Sequence, residues 1–421
     1  MAWLPIVTST DALGHWIAEV QHDFGPPVRA NRLGRLTADL LDMPESIDEP
    51  AQTAGRRTRD VAHARFTIIR RMNQRRARLI SSILALSLCL TLGTTASQVT
   101  PGSLERMLQG DLARFPAKTA IYVKHLTTGQ EAAVRADDNF NSASVIKIPI
   151  MVLAYQLAEQ GKLKLDARVT MNRRDVRGGS GVLRYHDLGL QPTVRDLITQ
   201  MIITSDNTAT DMMITQVGGV DAVNEWLKAN AYSELRLNTT IYEVFKRRYA
   251  FADAALNTLT PEEVYAAQTG DASFASMSPA RFEEVQKTMQ RPGLSAELNR
   301  QVSEEPSTWL GQITARGVGR MLAAIEQCTI LSKTSCAEMT RAFRRQQSGA
   351  RRLPHFLDAA VGHKTGDFPP MLANDVGVIY SRSGPIVVSF LTNGIREPYA
   401  ELEDRMGRTA RSIVDFFEGG R

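Results

Sequence analysis

Strand-forming and helix-forming patterns occupy different parts of this chain. Short segments rich in strand-forming residues lie in two pairs, one in the first third of the chain and one near its end, and a glycine-containing turn separates the members of each pair. Between the two pairs, apolar residues recur mainly at helical spacing. The predicted strands are residues 120–126, 132–134, 375–380 and 385–391.

The predicted helices supply apolar surfaces that can cover such a sheet. Residues 145–160 are strongly apolar and end at Gly161, residues 165–240 repeat with a helical period, and residues 400–417 carry one apolar face. Strand pairs at both ends with helices between them predict an α/β fold: an antiparallel sheet flanked by helices and built from both ends of the chain. An all-helical domain is then inserted in the middle.

These patterns also predict the domain boundaries. We expect the first half of the α/β domain over 97–165, the helical domain over 166–315, and the second half of the α/β domain over 316–421. Within the helical domain, residues 241–306 are expected to form a long loop insertion, because much of that segment is polar and weakly periodic.

A targeting signal is predicted before the α/β domain. Five arginines within residues 70–78 precede an apolar run over 79–93, and small residues follow at 94–97. This order is typical of a secretory signal peptide, here 72–96. The apolar run is shorter than the roughly 20 residues of a membrane span. We therefore expect a secreted or periplasmic protein without stable membrane insertion after cleavage, and a single-pass membrane anchor is the alternative.

Residues 1–71 precede this signal, although signal peptides normally begin a chain. We interpret Met72 as the natural start and residues 1–71 as an over-called or non-native extension. The rival interpretation is a cytoplasmic extension of an anchored protein.

Composition excludes several function classes. The formal net charge of +5 comes from the arginines of the signal, because the remaining basic residues balance the 45 acidic residues. No nucleic-acid partner is therefore expected. The three cysteines and the scattered histidines have no metal-ligand spacing, so no metal and no cofactor is expected. The segment Gly178-Gly-Ser-Gly-Val182 also fails the nucleophile-elbow pattern Gly-x-Ser-x-Gly at its last position.

Three short motifs carry candidate chemistry. Ser144-Val-Ile-Lys147 places an amine beside a hydroxyl on one helix face, and a serine nucleophile needs such a base. Ser205-Asp206-Asn207 follows an apolar run, and Lys364-Thr365-Gly366 precedes the last strand pair. Taken singly, the first is compatible with a solvated lysine, the second with a helix N-cap and the third with a turn. Their joint occurrence in this order makes chance a poor explanation.

With these motifs, the chain resembles the class A β-lactamases and the other penicillin-recognising serine hydrolases. The likeness covers residues 104–240 and 311–417. It implies a serine hydrolase that opens β-lactam rings, takes a small β-lactam as its partner, and acts as a monomer. The alternatives are a cell-wall D,D-peptidase, and a slow penicillin-binding sensor that is acylated but turns over poorly.

The resemblance implies three catalytic residues. Ser144 attacks the lactam carbonyl and forms an acyl-enzyme. Lys147 takes the serine proton, in its neutral form if cations such as Lys364 depress its pKa. Ser205 relays a proton to the departing lactam nitrogen.

The resemblance also implies the substrate-binding residues. Asn207 holds the side-chain amide of the substrate and the lysine network, while Lys364 and Thr365, followed by Gly366, bind the substrate carboxylate. The backbone N–H groups of the nucleophile and of Asp367 form the oxyanion hole. A small residue is usual in the family at position 367, and the carboxylate of Asp367 is expected to disfavour anionic substrates.

Two expectations concern single residues outside the motifs. The family assigns deacylation to a glutamate on a loop after the helical domain, and the candidates here are Glu243, Glu305 or neither. Glu243 lies where that loop begins, although the family pattern places the glutamate at a neighbouring position. A disulfide between Cys328 and Cys336 is also expected, with two free thiols as the alternative.

Overall fold

The computed structural model describes residues 101–419. The predicted signal peptide at 72–96 and the extension at 1–71 lie outside the described residues. Between residues 101 and 419, no helix combines the length and apolar character needed to cross a membrane. In the same part of the chain, no cluster of three or more His, Cys, Asp or Glu side chains is arranged to hold a metal ion.

The strands form two antiparallel sheets. The strands are β1 (Lys118–His125), β2 (Glu131–Val134), β3 (Phe140–Asn141), β4 (Arg236–Leu237), β5 (Gly311–Ile313), β6 (Val361–Phe368), β7 (Leu372–Ser381) and β8 (Gly384–Asn393). The large sheet has the order β2-β1-β8-β7-β6, and the small one has the order β3-β5-β4. Strand β1 pairs with β8 from Lys118 opposite Asn393 to His125 opposite Ile386, which confirms a sheet built from both ends of the chain.

Helices cover both faces of the large sheet. The helices are α1 (Pro101–Leu112), α2 (Lys147–Glu159), α3 (Val194–Ile203), α4 (Asn207–Gln216), α5 (Gly219–Ala229), α6 (Ile241–Ala252), α7 (Pro261–Thr269), α8 (Pro279–Met289), α9 (Leu294–Glu304), α10 (Ala315–Glu326), α11 (Lys333–Phe343) and α12 (Tyr399–Phe417). Helices α1 and α12 pack on one face, and α10 packs on the other. Helix α12 buries Leu402, Met406 and Ile413 at helical spacing, which removes that apolar stripe from water.

Helix α2 forms the centre of the helical region. Every residue from Ile148 to Tyr155 is buried, so neighbouring elements surround this helix on all sides. Its N-terminus continues a short 3₁₀ helix, Ala143–Ile146, which begins directly after β3. Between residues 101 and 419, the most apolar helix therefore carries the first motif at its start, with packed neighbours around it.

The segment 241–306 differs from the predicted long loop, because it forms the four helices α6 to α9. The polar composition of this segment obscured its helix-start signals, which are N-cap residues followed by proline. Thr260 accepts a hydrogen bond from the Glu263 backbone in a capping box with Pro261 at the first helical position. Ser278 accepts from the Arg281 backbone and caps α8, which also has a proline in its first turn. A small core of its own, including Tyr249 and Leu256, stabilises the insertion.

The predicted disulfide between Cys328 and Cys336 is wrong, because both cysteines are free. Their thiols both contact the carbonyl oxygen of Leu331, at 3.5 Å from Cys328 Sγ and 3.6 Å from Cys336 Sγ. Burial is the main cause that raises the pKa of Cys336 to about 12, so this thiol stays protonated at neutral pH.

Asp211 joins the insertion to the helix that follows the second motif. Its Oδ1 accepts a hydrogen bond from the Ile241 backbone at 2.7 Å, and its Oδ2 accepts from the Tyr242 backbone at 3.0 Å and from Arg177 Nε at 2.6 Å. The side chain is only 7% exposed. One buried carboxylate therefore supports the N-terminus of α6 and neutralises the arginine beside it.

We expect Asp211→Ala to lower the free energy of unfolding by about 3–5 kcal/mol, because it leaves the Arg177 guanidinium and two backbone N–H groups without their acceptor. Urea unfolding followed by circular dichroism measures the loss. The control is Asp187→Ala at an exposed position, which should change stability by about 0.5 kcal/mol or less. Equal losses in the two variants would contradict this role of Asp211.

Candidate active site

Ser144 lies on a sharp turn between β3 and α2. The preceding residue, Ala143, has a φ of 39°, an unfavourable value for a residue with a Cβ atom. Asn141 Oδ1 accepts a hydrogen bond from the Ala143 backbone at 3.0 Å, and Asn374 Nδ2 donates to the Asn141 carbonyl at 2.9 Å. These bonds hold the turn to the large sheet, and the Ser144 side chain is half-buried at its surface.

Lys147 follows Ser144 by three residues and is completely buried. Its Nζ donates hydrogen bonds to Ser205 O at 2.6 Å, Ser205 Oγ at 3.2 Å and Asn207 Oδ1 at 3.1 Å. Burial and, next, the charge of Lys364 hold the pKa of Lys147 well below its usual value. The amine therefore gives up its proton more readily than that of an exposed lysine, and its neutral form can accept one.

Ser205 is the residue at which the three motifs meet. Its Oγ accepts hydrogen bonds from Lys147 Nζ at 3.2 Å and from Lys364 Nζ at 3.0 Å, and its φ of 55° holds it in a left-handed conformation. Burial lowers the pKa of Lys364 to about 7. One hydroxyl therefore lies between two lysine amines whose protons are both weakly held.

Asp206 fixes the loop that carries Ser205. Its Oδ1 accepts from the Ala209 backbone at 2.8 Å, which makes it the N-cap of α4. Its Oδ2 accepts from the backbone of Val182 at 2.7 Å and of Leu183 at 2.8 Å. The middle residue of the second motif is thus an N-cap, and it also binds a second loop.

That second loop, residues 177–183, was given no role from the sequence, although its glycines were visible there. Asn207 Nδ2 donates to the Gly178 carbonyl at 2.9 Å. Gly179 has a φ of 81°, and a Cβ atom on it would lie 2.7 Å from Asn207 Nδ2. Gly181 has a φ of 108°, and a Cβ atom on it would lie 2.2 Å from Asp206 Oδ2. Only glycine allows this backbone to pack directly on the second motif.

The third motif lies within β6, the edge strand of the large sheet. The apolar pattern did not reveal this strand, because its central residues are polar. Lys364 and Thr365 are nevertheless completely buried, and Thr365 Oγ1 is 2.7 Å from Ser348 Oγ. At Gly366 a Cβ atom would lie 2.7 Å from the Ser142 carbonyl oxygen, so the strand packs directly on the turn that carries the first motif.

The carboxylate of Asp367 is paired within a buried network that was not predicted. It accepts hydrogen bonds from Arg352 Nη2 and, at 2.9 Å, from the Tyr399 hydroxyl. Arg352 also donates to Glu403 Oε1 at 2.9 Å. Burial opposes ionisation of Asp367, but the charge and hydrogen bond of Arg352 outweigh it and hold the pKa of Asp367 below its usual value. The charge that was expected to disfavour anionic substrates is therefore balanced by Arg352.

The two candidate deacylating glutamates are both in ion pairs. Glu243 lies in the first turn of α6, and its Oε1 accepts from Lys246 Nζ at 2.8 Å. Glu305 follows the last residue of α9, and its Oε1 lies 2.7 Å from Arg300 Nη1. The N-terminal backbone of α6 donates a hydrogen bond to Asp211, on the helix that begins at Asn207. Glu243 therefore lies on a helix that is bonded to the second motif's helix, which makes it a nearer candidate in the hydrogen-bond network than Glu305.

His363 has a structural environment. Its Nδ1 lies 2.8 Å from Asp375 Oδ1 on β7, and both side chains are buried. The same carboxylate accepts a hydrogen bond from the Leu353 backbone at 3.2 Å. This pair supports the strand next to Lys364 without contacting the serines of the site.

Known proteins were compared with this chain. Extended-spectrum beta-lactamase PER-1 of Pseudomonas aeruginosa is 20% identical over 343 residues, which are 77% of this chain and 93% of that protein. Beta-lactamase L2 of Stenotrophomonas maltophilia is 35% identical over 102 residues, 24% of this chain. The solved beta-lactamase from Sphaerobacter thermophilus has a TM-score of 0.56 at 22% identity and covers 77% of this chain and 100% of its own.

The fold likeness confirms the predicted β-lactamase/transpeptidase-like architecture. The chain spans 33%, 49% and 57% of the length of the first curated relatives that it matches. The model of the family described as "Beta-lactamase enzyme family" matches residues 103–269 and 277–417. Because that match covers most of its length, the chain belongs to the beta-lactamase enzyme family.

Proposed function

We propose that this protein is a serine hydrolase that opens β-lactam rings through an acyl-enzyme on Ser144. The observation that carries the proposal is the hydrogen bonding of Ser205 Oγ to both Lys147 Nζ and Lys364 Nζ. A structural role alone does not require two buried cations to share one hydroxyl. Proton transfer through that hydroxyl accounts for the arrangement.

Acylation begins at the half-buried hydroxyl of Ser144. Neutral Lys147 accepts its proton while the oxygen attacks the lactam carbonyl and forms the tetrahedral intermediate. The close packing of Gly366 on the turn supports an oxyanion hole made of the Ser144 and Asp367 backbone N–H groups. In the static structure the Lys147 amine bonds to Ser205 and Asn207, so the transfer requires the amine to move toward Ser144.

Collapse of the intermediate breaks the C–N bond of the lactam and needs a proton on its nitrogen. Ser205 donates that proton and is reprotonated by Lys147, which regains a neutral amine. Protonated Lys364 attracts the substrate carboxylate with Thr365, and Asn207 orients the acyl amide. The names of the relatives, which are beta-lactamases, support this choice of substrate.

Deacylation requires a base that activates water, and we assign this role to Glu243. The backbone at the start of its helix bonds to Asp211 on α4, the helix that begins at Asn207, and its carboxylate accepts a hydrogen bond from Lys246 Nζ at 2.8 Å. The insertion 241–306 would then act as an enlarged flap over the site.

A second candidate is a D,D-peptidase or penicillin sensor that is acylated and released slowly. One observation favours it: in the described part of the chain each candidate glutamate pairs with a cation of the insertion, Glu243 with Lys246 and Glu305 with Arg300, and neither bonds to Lys147. Turnover of a chromogenic cephalosporin separates the two, since a lactamase releases many product molecules per protein.

We also propose that the protein is exported by the signal at 72–96 to the periplasm or the exterior and acts there as a monomer. A β-lactam target outside the cytoplasm fits that location.

Ser144→Ala should abolish the penicilloyl adduct, because the attacking oxygen is lost. Lys147→Ala should slow acylation by roughly 100-fold or more, because the general base is lost. Intact-protein mass spectrometry after mixing with benzylpenicillin measures both effects, and Lys162→Ala, at an exposed lysine, is the control. An adduct on the Ser144→Ala protein would overturn the assignment.

The second-order rate constant of acylation should fall above about pH 7, because Lys364 loses the proton that attracts the substrate carboxylate. On the acid side the constant should rise with pH as Lys147 becomes neutral. In Lys364→Arg the falling limb should move to higher pH, since a guanidinium stays protonated. An unchanged falling limb in this variant would exclude Lys364 as its cause.

Glu243→Gln should lengthen the acyl-enzyme lifetime by roughly 100-fold or more, because an amide cannot activate water. Glu305→Gln, which removes a similar paired carboxylate from the same insertion, should leave the lifetime unchanged. Time-resolved mass spectrometry of the adduct measures both variants. Unchanged lifetimes in both would discard Glu243 and favour the slow penicillin-binding alternative.

A further inference from the structure

In the described part of the chain, the insertion helix α6 carries an arginine that has no hydrogen-bond or ion-pair partner. The guanidinium of Arg248 lies over the ring of Phe368, 4.6 Å from the ring centre, and within residues 101–419 its side chain has no hydrogen bond or ion pair. Burial lowers the pKa of Arg248 to about 10, and no carboxylate opposes that effect. The guanidinium therefore retains its charge at neutral pH in an environment that supplies no counterion.

The other arginines of the insertion differ from Arg248 in this respect. Each of them bonds to an oxygen: Arg247 to the Ser307 carbonyl at 3.1 Å, Arg281 to Glu284 at 2.9 Å, Arg291 to Glu297 at 2.9 Å and Arg300 to Glu305 at 2.7 Å. A partly desolvated cation without an acceptor is costly, and such groups are retained where a ligand supplies the acceptor.

Arg248 lines two adjoining cavities. The larger, of about 290 Å³, lies between α6 and the segment near Thr308. The smaller, of about 120 Å³, is bounded mainly by aromatic and apolar side chains, with Gln268 as a further polar residue in its wall. One of its walls is Tyr249, whose buried hydroxyl has no hydrogen-bond partner in the described part of the chain. The cavities thus combine apolar walls, one unpaired cation and one unpaired hydroxyl.

The smaller cavity adjoins the candidate active site on two sides. On one side, its wall residue Phe245 approaches Gly179 and Asn207. A Cβ atom added to Gly179 would lie 3.7 Å from the Phe245 ring and 2.7 Å from Asn207 Nδ2. On the other side its wall residue Phe368 packs in a cluster with Ala143, the residue before the nucleophile. Phe368 is two residues beyond Gly366 on the same strand, a distance of roughly 7 Å.

The path from the nucleophile to Arg248 therefore runs between Asn207 and the end of β6. We propose that Arg248 makes this cavity a subsite for a carboxylate at the far end of the substrate's acyl side chain. The inference rests on the proposed function, because Asn207 holds the acyl amide there. The aliphatic part of the side chain contacts Phe245 and Phe368, and the terminal carboxylate forms a charge-assisted pair with the guanidinium.

Two penams that differ only at the end of the side chain test this subsite. One carries a glutaryl group on the 6-amino nitrogen, and the other carries the pentanoyl group, which lacks the terminal carboxylate. Intact-protein mass spectrometry gives the second-order rate constant of acylation for each. The wild-type protein should prefer the glutaryl compound, and Arg248→Gln should lower the glutaryl-to-pentanoyl ratio by about tenfold or more.

Two further variants separate charge recognition from a structural role. Arg248→Lys should retain part of the preference, because it keeps the charge, while Arg291→Gln removes an exposed charge from the same insertion and should leave the ratio unchanged. Equal rates for the two penams in the wild-type protein would overturn the proposal. So would an equal loss on both compounds in Arg248→Gln.

Binding without acylation separates this inference from the proposed function. Isothermal titration of the Ser144→Ala protein with each penam measures the subsite directly. If the Ser144→Ala protein binds the glutaryl compound more tightly, and this preference depends on Arg248, the subsite is supported. That holds even if the wild-type protein forms no adduct. The missing adduct would refute the proposed chemistry but not the subsite. Equal affinities for the two penams would overturn the subsite.

Discussion

The burial of two lysines around one hydroxyl is the constraint on which the rest of this site depends. Lys147 and Lys364 are both fully buried, and each donates to Ser205 Oγ. Two cations that share an acceptor repel each other and lose hydration, so the surrounding protein must supply compensating negative charge. Asp206 and Asp367 do so at opposite sides, and the residual effect is a pair of amines that release protons easily.

Each of these carboxylates also holds part of the site in position through hydrogen bonds. Asp206 caps α4 and binds the glycine loop, and Asp211 carries the N-terminus of the insertion. Asp367 is held by Arg352, which also bonds to the Asn374 carbonyl beside the nucleophile's turn. The electrostatic balance and the geometry of the site therefore depend on the same side chains. Substituting one of them disturbs both the proton affinities and the positions of the catalytic groups.

The proposed subsite would let the insertion add substrate discrimination to the reaction centre. Helices α6, α7 and α8 share a small core, and α6 places the Arg248 guanidinium over the Phe368 ring at the end of β6. The Arg248 guanidinium lies at Phe368, the last residue of β6, whereas Lys364 and Thr365, the proposed carboxylate-binding residues, lie earlier on the same strand. If both proposals hold, the site has two positive positions, which suits a substrate with a carboxylate at each end.

The sequence by itself determined the sheet built from both chain ends, the apolar helix behind Ser144 and the three motifs, because these depend on local periodicity and short spacing. It did not reveal β6 as a strand or 241–306 as helices, since polar central residues and weak periodicity masked them. Only the tertiary structure decided which amines share the Ser205 hydroxyl: Lys364 is 159 residues from Ser205. The tertiary structure also paired Asp367 with Arg352 and left Arg248 without an ion-pair partner in the described part of the chain. Ion pairs depend on the distance between charges in space, and only folding sets that distance.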